Sequence, residues 1–215
     1  MKKTTQKLLN EYKEKRGLYE DYCLTIRNLI ESLLRHKGYK YHVTSRTKDL
    51  DKLEQKIKQK EKEDKTYRQL NDVEDLAGIR VIFYVERDKK KFARELDKEI
   101  SVKLQFEENI KDSGYEALHT IVTLGPKRLA LSEFERFKGL KCEVQLTSIL
   151  YHAWAEVEHD IFYKENEAVR KMSRENRENL KVRLWKIMNN YIKKASCELE
   201  KVVRHVEKFN GKKGQ

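Results

Sequence analysis

From residue 4 to 36 the apolar positions Leu8, Leu9, Tyr12, Leu18, Tyr19, Tyr22, Ile26, Leu29, Ile30 and Leu33 recur every three to four residues. That spacing predicts an amphipathic helix with a break near Gly17 and a stop at Gly38. Residues 39–44 alternate as a short strand, and 45–48 are polar. A charged helix is expected over 50–62, with Leu53 and Ile57 on its inner face. The run 79–85 is rich in β-branched and aromatic residues, mostly apolar, and reads as a buried strand, followed by a helix capped by Asp88 that ends at Glu99. Further strands are expected at 102–106, 118–124 and 140–147, with a loop around Pro126 and Gly139 before the last. A helix then starts at Ser148 and runs to His159. A final helical stretch over 173–208 carries Leu180, Leu184, Ile187, Met188, Tyr191, Ile192, Leu199 and Val202 on one stripe.

This order predicts an α+β fold: a mixed sheet of about five strands flanked by helices, with long N- and C-terminal helices. No internal repeat or low-complexity linker divides the 215 residues, so a single domain is expected, its core over 39–164 and its helical extensions over 1–38 and 165–215.

Composition then narrows the setting. Apolar residues are 38% and charged residues 39% of the chain, so long helices must carry solvated faces around a core of useful size. One proline and eight glycines argue against a loop-rich or all-β design. A net charge of +12 points to a polyanionic partner: nucleotide phosphates, RNA and an anionic membrane surface all fit, and solubilising lysine is the bland alternative. Cys23, Cys142 and Cys197 show no CxxC or metal spacing and read as reduced packing residues. No secretory leader and no apolar run of membrane-spanning length is present, so a soluble, cytoplasmic protein with no membrane partner is expected.

Several segments could carry chemistry. Asp75 precedes the strand 79–85, and Glu143 lies in an alternating strand whose one face is Lys141, Glu143 and Gln145. That polar face is either exposed or lines a cleft in which carboxylates hold Mg²⁺ with substrate phosphates. Arg46, Lys48, Lys52 and Lys56 form a basic cluster, with Lys52 and Lys56 sharing a helix face; they could grip a triphosphate or simply be solvated. Tyr115, beside Gly114, could stack on a purine or pack as a core tyrosine, and His119 is equally ambiguous. On the helix after the Glu143 strand, His152, Glu156 and His159 share a face, but their spacing is not that of a zinc protease helix.

Four segments, SRTKDLDKLEQKI (45–57), VEDLAGIRVIFYV (73–85), KDSGYEALHT (111–120) and CEVQLTSILYHAWAEVEHDIFYK (142–164), together resemble the synthetase domain of the RelA/SpoT family, in its small single-domain form. The resemblance implies a nucleotidyltransferase-like fold. It also implies transfer of the β,γ-diphosphate of ATP to a ribose 3′-hydroxyl, by default of GDP or GTP to make (p)ppGpp. It puts Arg46, Lys48, Lys52 and Lys56 at the ATP phosphates and Asp75 and Glu143 at Mg²⁺ and the reacting hydroxyl. Arg80, Lys111, Tyr115, His119 and Gln145 fall at acceptor positions, with Tyr115 stacking on the base. Lys52, Ser113 and Thr147 depart from the family pattern. With the charge, they raise a toxin-type alternative that acts on the tRNA 3′ end or makes adenosine alarmones. A homo-oligomer or an antitoxin is the partner expected for such small members.

Overall fold

The computed structural model describes residues 3–99, 104–110, 116–162 and 167–212. The first helix, α1 (Lys3–His36), runs through Gly17 without a break: a Cβ there would meet nothing within 4 Å, so nothing in the packing demands a kink. Its stop is at Gly38 as expected. With φ at +70°, Gly38 lets the amides of Lys37, Gly38 and Tyr39 turn back onto the last carbonyls of the helix. The three-to-four spacing is realised as burial, with Leu8, Tyr12, Tyr19, Tyr22, Ile26, Ile30 and Leu34 all closed off from solvent.

Beneath α1 lies a five-stranded mixed sheet, which with its flanking helices gives the expected α+β architecture. Its strands are β1 (Tyr41–Thr47), β2 (Ala77–Phe83), β3 (Glu107–Ile110), β4 (Glu116–Val122) and β5 (Cys142–Ser148), in the spatial order β1-β2-β5-β4-β3. β2 and β5 run parallel at the centre, and every other pairing is antiparallel. One face of these central strands, Ile79 and Val81 with Cys142, Val144 and Leu146, is buried in the core that α1 closes. Burying each such side chain is worth about 1.5–3 kcal/mol, and this sets the register, since a one-residue slip would turn the apolar set outward.

The helix α2 (Leu50–Lys62) has the expected bounds, with Leu53 and Ile57 buried. Elsewhere the structure corrects the sequence reading. β1 extends through the polar Ser45, Arg46 and Thr47, because an edge strand with one wet face needs no apolar alternation there. The helix α3 (Glu86–Glu99) starts before Asp88, which stands inside its first turn, where an acidic group favours the helix dipole, rather than capping it. Of the strand expected at 102–106, residues 102–103 lie outside the described residues and 104–106 form no strand; the strand here is Glu107–Ile110. Leu104 is buried, and its amide donates to the Asp97 carboxylate at 2.7 Å, which ties this stretch to α3 rather than to a ladder. The expected loop around Pro126 contains two short helices, α4 (Pro126–Leu129) and α5 (Ser132–Glu135), with Pro126 at a helix start where its missing N–H costs nothing.

Helix α6 (Ile149–Phe162) leaves β5 directly, and α7 (Glu167–Lys171) follows. Ser173 caps α8 (Arg174–Ile187) through its hydroxyl, which accepts from the Asn176 amide. A π-helical turn, Met188–Ile192, joins it to α9 (Lys193–Lys212). The expected apolar stripe is therefore split. Met188 is buried with Tyr151, Trp154 and Ala117, whereas Tyr191, Leu199 and Val202 are exposed. The wider π turn shifts the helical phase, so a stripe drawn at 3.6 residues per turn does not stay on one face. Among the described residues, no helix is long and apolar enough to cross a membrane.

Candidate active site

The sheet face opposite α1 carries two rows of residues set side by side by the strand register. One runs Arg46, Gly78, Glu143, Ile121; the next runs Thr44, Arg80, Gln145, His119, Glu107. The polar face of the β5 strand is thus explained by a cleft. Gly78 sits between Arg46 and Glu143, and the absence of a side chain there leaves the floor open. A Cβ at that position would touch only Arg46 O at 3.9 Å and Glu143 O at 4.0 Å, so the gap is real space rather than tight backbone packing.

Two cavities meet at Glu143. One, of 540 Å³, is lined by Arg46, Gly78, Arg80, Glu143 and Gln145 on the sheet and by His152, Glu156 and His159 on α6. The other, of 380 Å³, is lined by His119, Ile121 and Glu143 together with Glu74, Gln105 and Glu107. A carboxylate shared by two polar cavities suits a reaction that joins two substrates.

Below Arg46 the chain builds a charged knot. Tyr12 Oη donates to the Lys48 carbonyl at 2.7 Å, and the Lys48 amide donates to Leu76 O at 2.9 Å, which fixes the segment after β1 against α1 and the approach to β2. Lys48 Nζ and Lys56 Nζ then converge on Asp75 Oδ2, at 2.9 and 2.8 Å. Burial pushes the Asp75 carboxyl up, but the hydrogen bonds and charges of Lys56 and Lys48 outweigh it and hold the group below the usual carboxylate range. Its other oxygen, Oδ1, is buried without a hydrogen-bond partner. A buried anionic oxygen left unsatisfied calls for a reason, and a hard cation supplies one.

Glu143 is satisfied differently. Its Oε1 lies 3.2 Å from His119 Nδ1, and its Oε2 accepts from Gln145 Nε2 at 2.9 Å. Burial raises this carboxyl, yet His119 and Gln145 prevail and its pKa is lowered, despite the like charge of Asp75. Both acids are therefore ionised at neutral pH and close enough to sense each other, with Asp75 held between two lysines. One or two carboxylates near a phosphate-binding cluster is the donor set Mg²⁺ favours, so these residues fit that ion.

Arg80, expected with the acceptor set, opens into the cavity of Arg46. Its Nε donates to Gln145 Oε1 at 3.2 Å, and its Nη1 donates to Glu156 Oε1 at 2.7 Å and meets His152 Nδ1 at 3.4 Å. Burial, and then the Arg80 charge, lower the His152 pKa, so its neutral ring can accept from Arg80. Lys52 is exposed and lines neither cavity. Lys111 and Tyr115 lie outside the described residues. Thr147 is wholly buried and lines neither cavity, so this departure from the family pattern is a packing residue. The contribution of α6 was not assigned from sequence, although the shared face of His152, Glu156 and His159 was the available signal. Gly78 left no comparable signal, because its role is spatial.

A family model described as a region found in RelA / SpoT proteins matches residues 45–168, more than half of the chain. A GTP pyrophosphokinase of Bacillus subtilis, YwaC, is 28% identical over 134 residues, a match that spans 60% of this chain and 61% of that relative. The fold is similar to the small alarmone synthetase 1 of B. subtilis, with a TM-score of 0.67 at 17% identity over 93% of this chain and 97% of that one. The same enzyme bound to its product pppGpp gives 0.66 at 18% identity, over 92% and 97%. With its sheet and its cleft described and the family model matching over more than half of its length, the chain belongs to the RelA/SpoT family.

Proposed function

We propose that the chain is a pyrophosphokinase that moves the β,γ-diphosphate of ATP to the 3′-hydroxyl of GDP or GTP, giving a (p)ppGpp-type alarmone and AMP. The observation that carries this reading is the placement of Glu143 between the two cavities, with the Asp75–Lys48–Lys56 knot beside it. It is supported by the family and by the relatives' names, one a GTP pyrophosphokinase and one a synthetase holding pppGpp.

In this reading Lys48 and Lys56 take the triphosphate, with Arg46 and Arg80 in the larger cavity as donor-side contacts. The acceptor enters on the His119 side. Asp75, with help from Glu143, would hold Mg²⁺, which when bound would neutralise charge on the transferred phosphates. Glu143, ionised and oriented by His119 and Gln145, takes the 3′-hydroxyl proton as that oxygen bonds to the β-phosphorus. The bond from that phosphorus to the α–β bridging oxygen breaks, and AMP leaves with the electron pair. Positioning and electrostatics, not covalent chemistry, supply the rate.

The tRNA alternative rests on net charge and on Lys52, Ser113 and Thr147; Lys52 and Thr147 line neither cavity, and Ser113 lies outside the described residues. We also place the chain in the cytoplasm, with the exposed Trp185, Tyr191, Val202 and Phe209 of the C-terminal helices as its surface for a second copy. Purified protein with γ-labelled ATP, offered GDP, GTP, ATP or deacylated tRNA in turn, tests the acceptor. Label on a guanine nucleotide is expected; label on tRNA alone would refute it.

A further inference from the structure

The catalytic carboxylate is connected to α6 by a continuous path of side chains. Glu143 Oε2 accepts from Gln145 Nε2 at 2.9 Å; Gln145 Oε1 accepts from Arg80 Nε at 3.2 Å; Arg80 Nη1 donates to Glu156 Oε1 at 2.7 Å. The path crosses from β5 to β2 and up to the helix, and each link fixes the next. An amide has one donor end and one acceptor end. Arg80 engages the Gln145 oxygen, and this favours the amide orientation that turns the N–H₂ toward Glu143. Arg80 in turn is a long side chain on an open cleft, and such a chain samples many rotamers unless its fork is held. Glu156 holds it, with His152 as a weaker second contact at 3.4 Å.

We infer that Glu156 is a positioning residue for the transfer reaction: by anchoring Arg80 it fixes the Gln145 amide, and through it the aim of the Glu143 carboxylate. This rests on the reading of Glu143 as the group that receives the hydroxyl proton. Glu156 itself is half-exposed at the outer wall of the larger cavity, two residues removed from Glu143 along the path, so its effect must travel through Arg80 and Gln145. An exposed ion pair contributes little to folding, roughly 0–1 kcal/mol, so its placement is better explained by orientation than by stability.

The test is a double-mutant cycle in the full chain. Glu156→Ala should lower kcat at saturating ATP and acceptor by about tenfold, the low end for losing an outer partner of a reacting group. The KM for ATP should change less than kcat, and the melting temperature should stay put. Glu156→Gln, which keeps a carbonyl oxygen for Arg80, should recover most of the rate. Adding Glu156→Ala to Gln145→Ala should cost nothing further, because the path is already cut. The ¹⁵N-labelled side-chain amide of Gln145 should shift in Glu156→Ala, a readout that does not depend on turnover. Multiplying effects in the double variant, an effect on KM alone, a melting temperature falling in step with rate, or an unmoved Gln145 signal would each overturn the inference. A wild-type chain that transfers to no acceptor, with the Gln145 signal still shifting in the variant, would instead overturn the proposed reaction.

Discussion

Replacing Asp75 with asparagine probes the charged knot directly. Asp75 Oδ2 accepts from two ammonium groups, at 2.9 and 2.8 Å, and the side chains are 23% exposed for Asp75, 14% for Lys48 and 34% for Lys56. Hydrogen bonds to charged groups contribute about 1.5–3 kcal/mol each when well shielded. Partial exposure halves that, and asparagine keeps one neutral oxygen, so the expected loss is about 2 kcal/mol in all. For a chain of this size the melting temperature should fall by about 4–8 °C. The loss should be largest at neutral pH. The folded pKa of Asp75 is depressed, so its contribution is present above the unfolded value and fades as pH falls through the folded one. Transfer should drop by at least about 10³-fold, since a charge-stabilising carboxylate and its ion are lost together. ATP binding without added Mg²⁺ should persist, because both lysines remain and a competing anion has gone. Turnover of labelled ATP, thermal melting and calorimetric ATP binding measure the three parts. A variant with turnover within tenfold of the wild type would refute the assignment of Asp75, and ATP binding lost along with turnover would refute the separation of roles.

Three further outcomes follow from particular contacts. Gly78→Leu should fold normally, because the cleft has room above Gly78, yet it should block the floor between Arg46 and Glu143 and raise the KM for ATP at least tenfold; unchanged kinetics would show that substrate does not cross that floor. Tyr12→Phe removes the hydroxyl that holds the Lys48 carbonyl, and should cost about 1 kcal/mol of stability on denaturant melting. Transfer should need both Asp75 and Glu143 ionised; with both pKa values lowered, kcat/KM should be flat down through weakly acidic pH and fall only below the usual carboxylate range. An acidic limb lying above that range would contradict the hydrogen bonds that lower the two groups, from Lys48 and Lys56 on Asp75 and from His119 and Gln145 on Glu143.

How much of this was legible in the sequence depended on the range of the interaction. The helix over 50–62 and the glycine stop at Gly38 were readable because amphipathic spacing and a left-handed cap are local. The strand at Glu107–Ile110 was not, because its first three residues are polar and Leu104 is claimed by the core and Asp97. Asp75, Glu143 and the basic cluster were visible as residue types in order. Their pairing was hidden, since only the packing of α2 and of the segments flanking β1 and β2 brings Lys48 and Lys56 onto one oxygen of Asp75 and leaves the other unpaired. Arg80 shows the same limit: its position was found, but the cavity it faces follows from β2 lying beside β5 rather than β4. The π turn at Met188–Ile192 likewise undid a stripe that counting alone supported.

The most direct test of the central claim is the fate of the label from γ-labelled ATP when the purified chain is given GDP and Mg²⁺. The account predicts a labelled guanosine 3′-diphosphate product formed together with AMP, and its loss in Glu143→Gln while that variant still folds. Release of ADP in place of AMP, or undiminished product from the Glu143 variant, would contradict it.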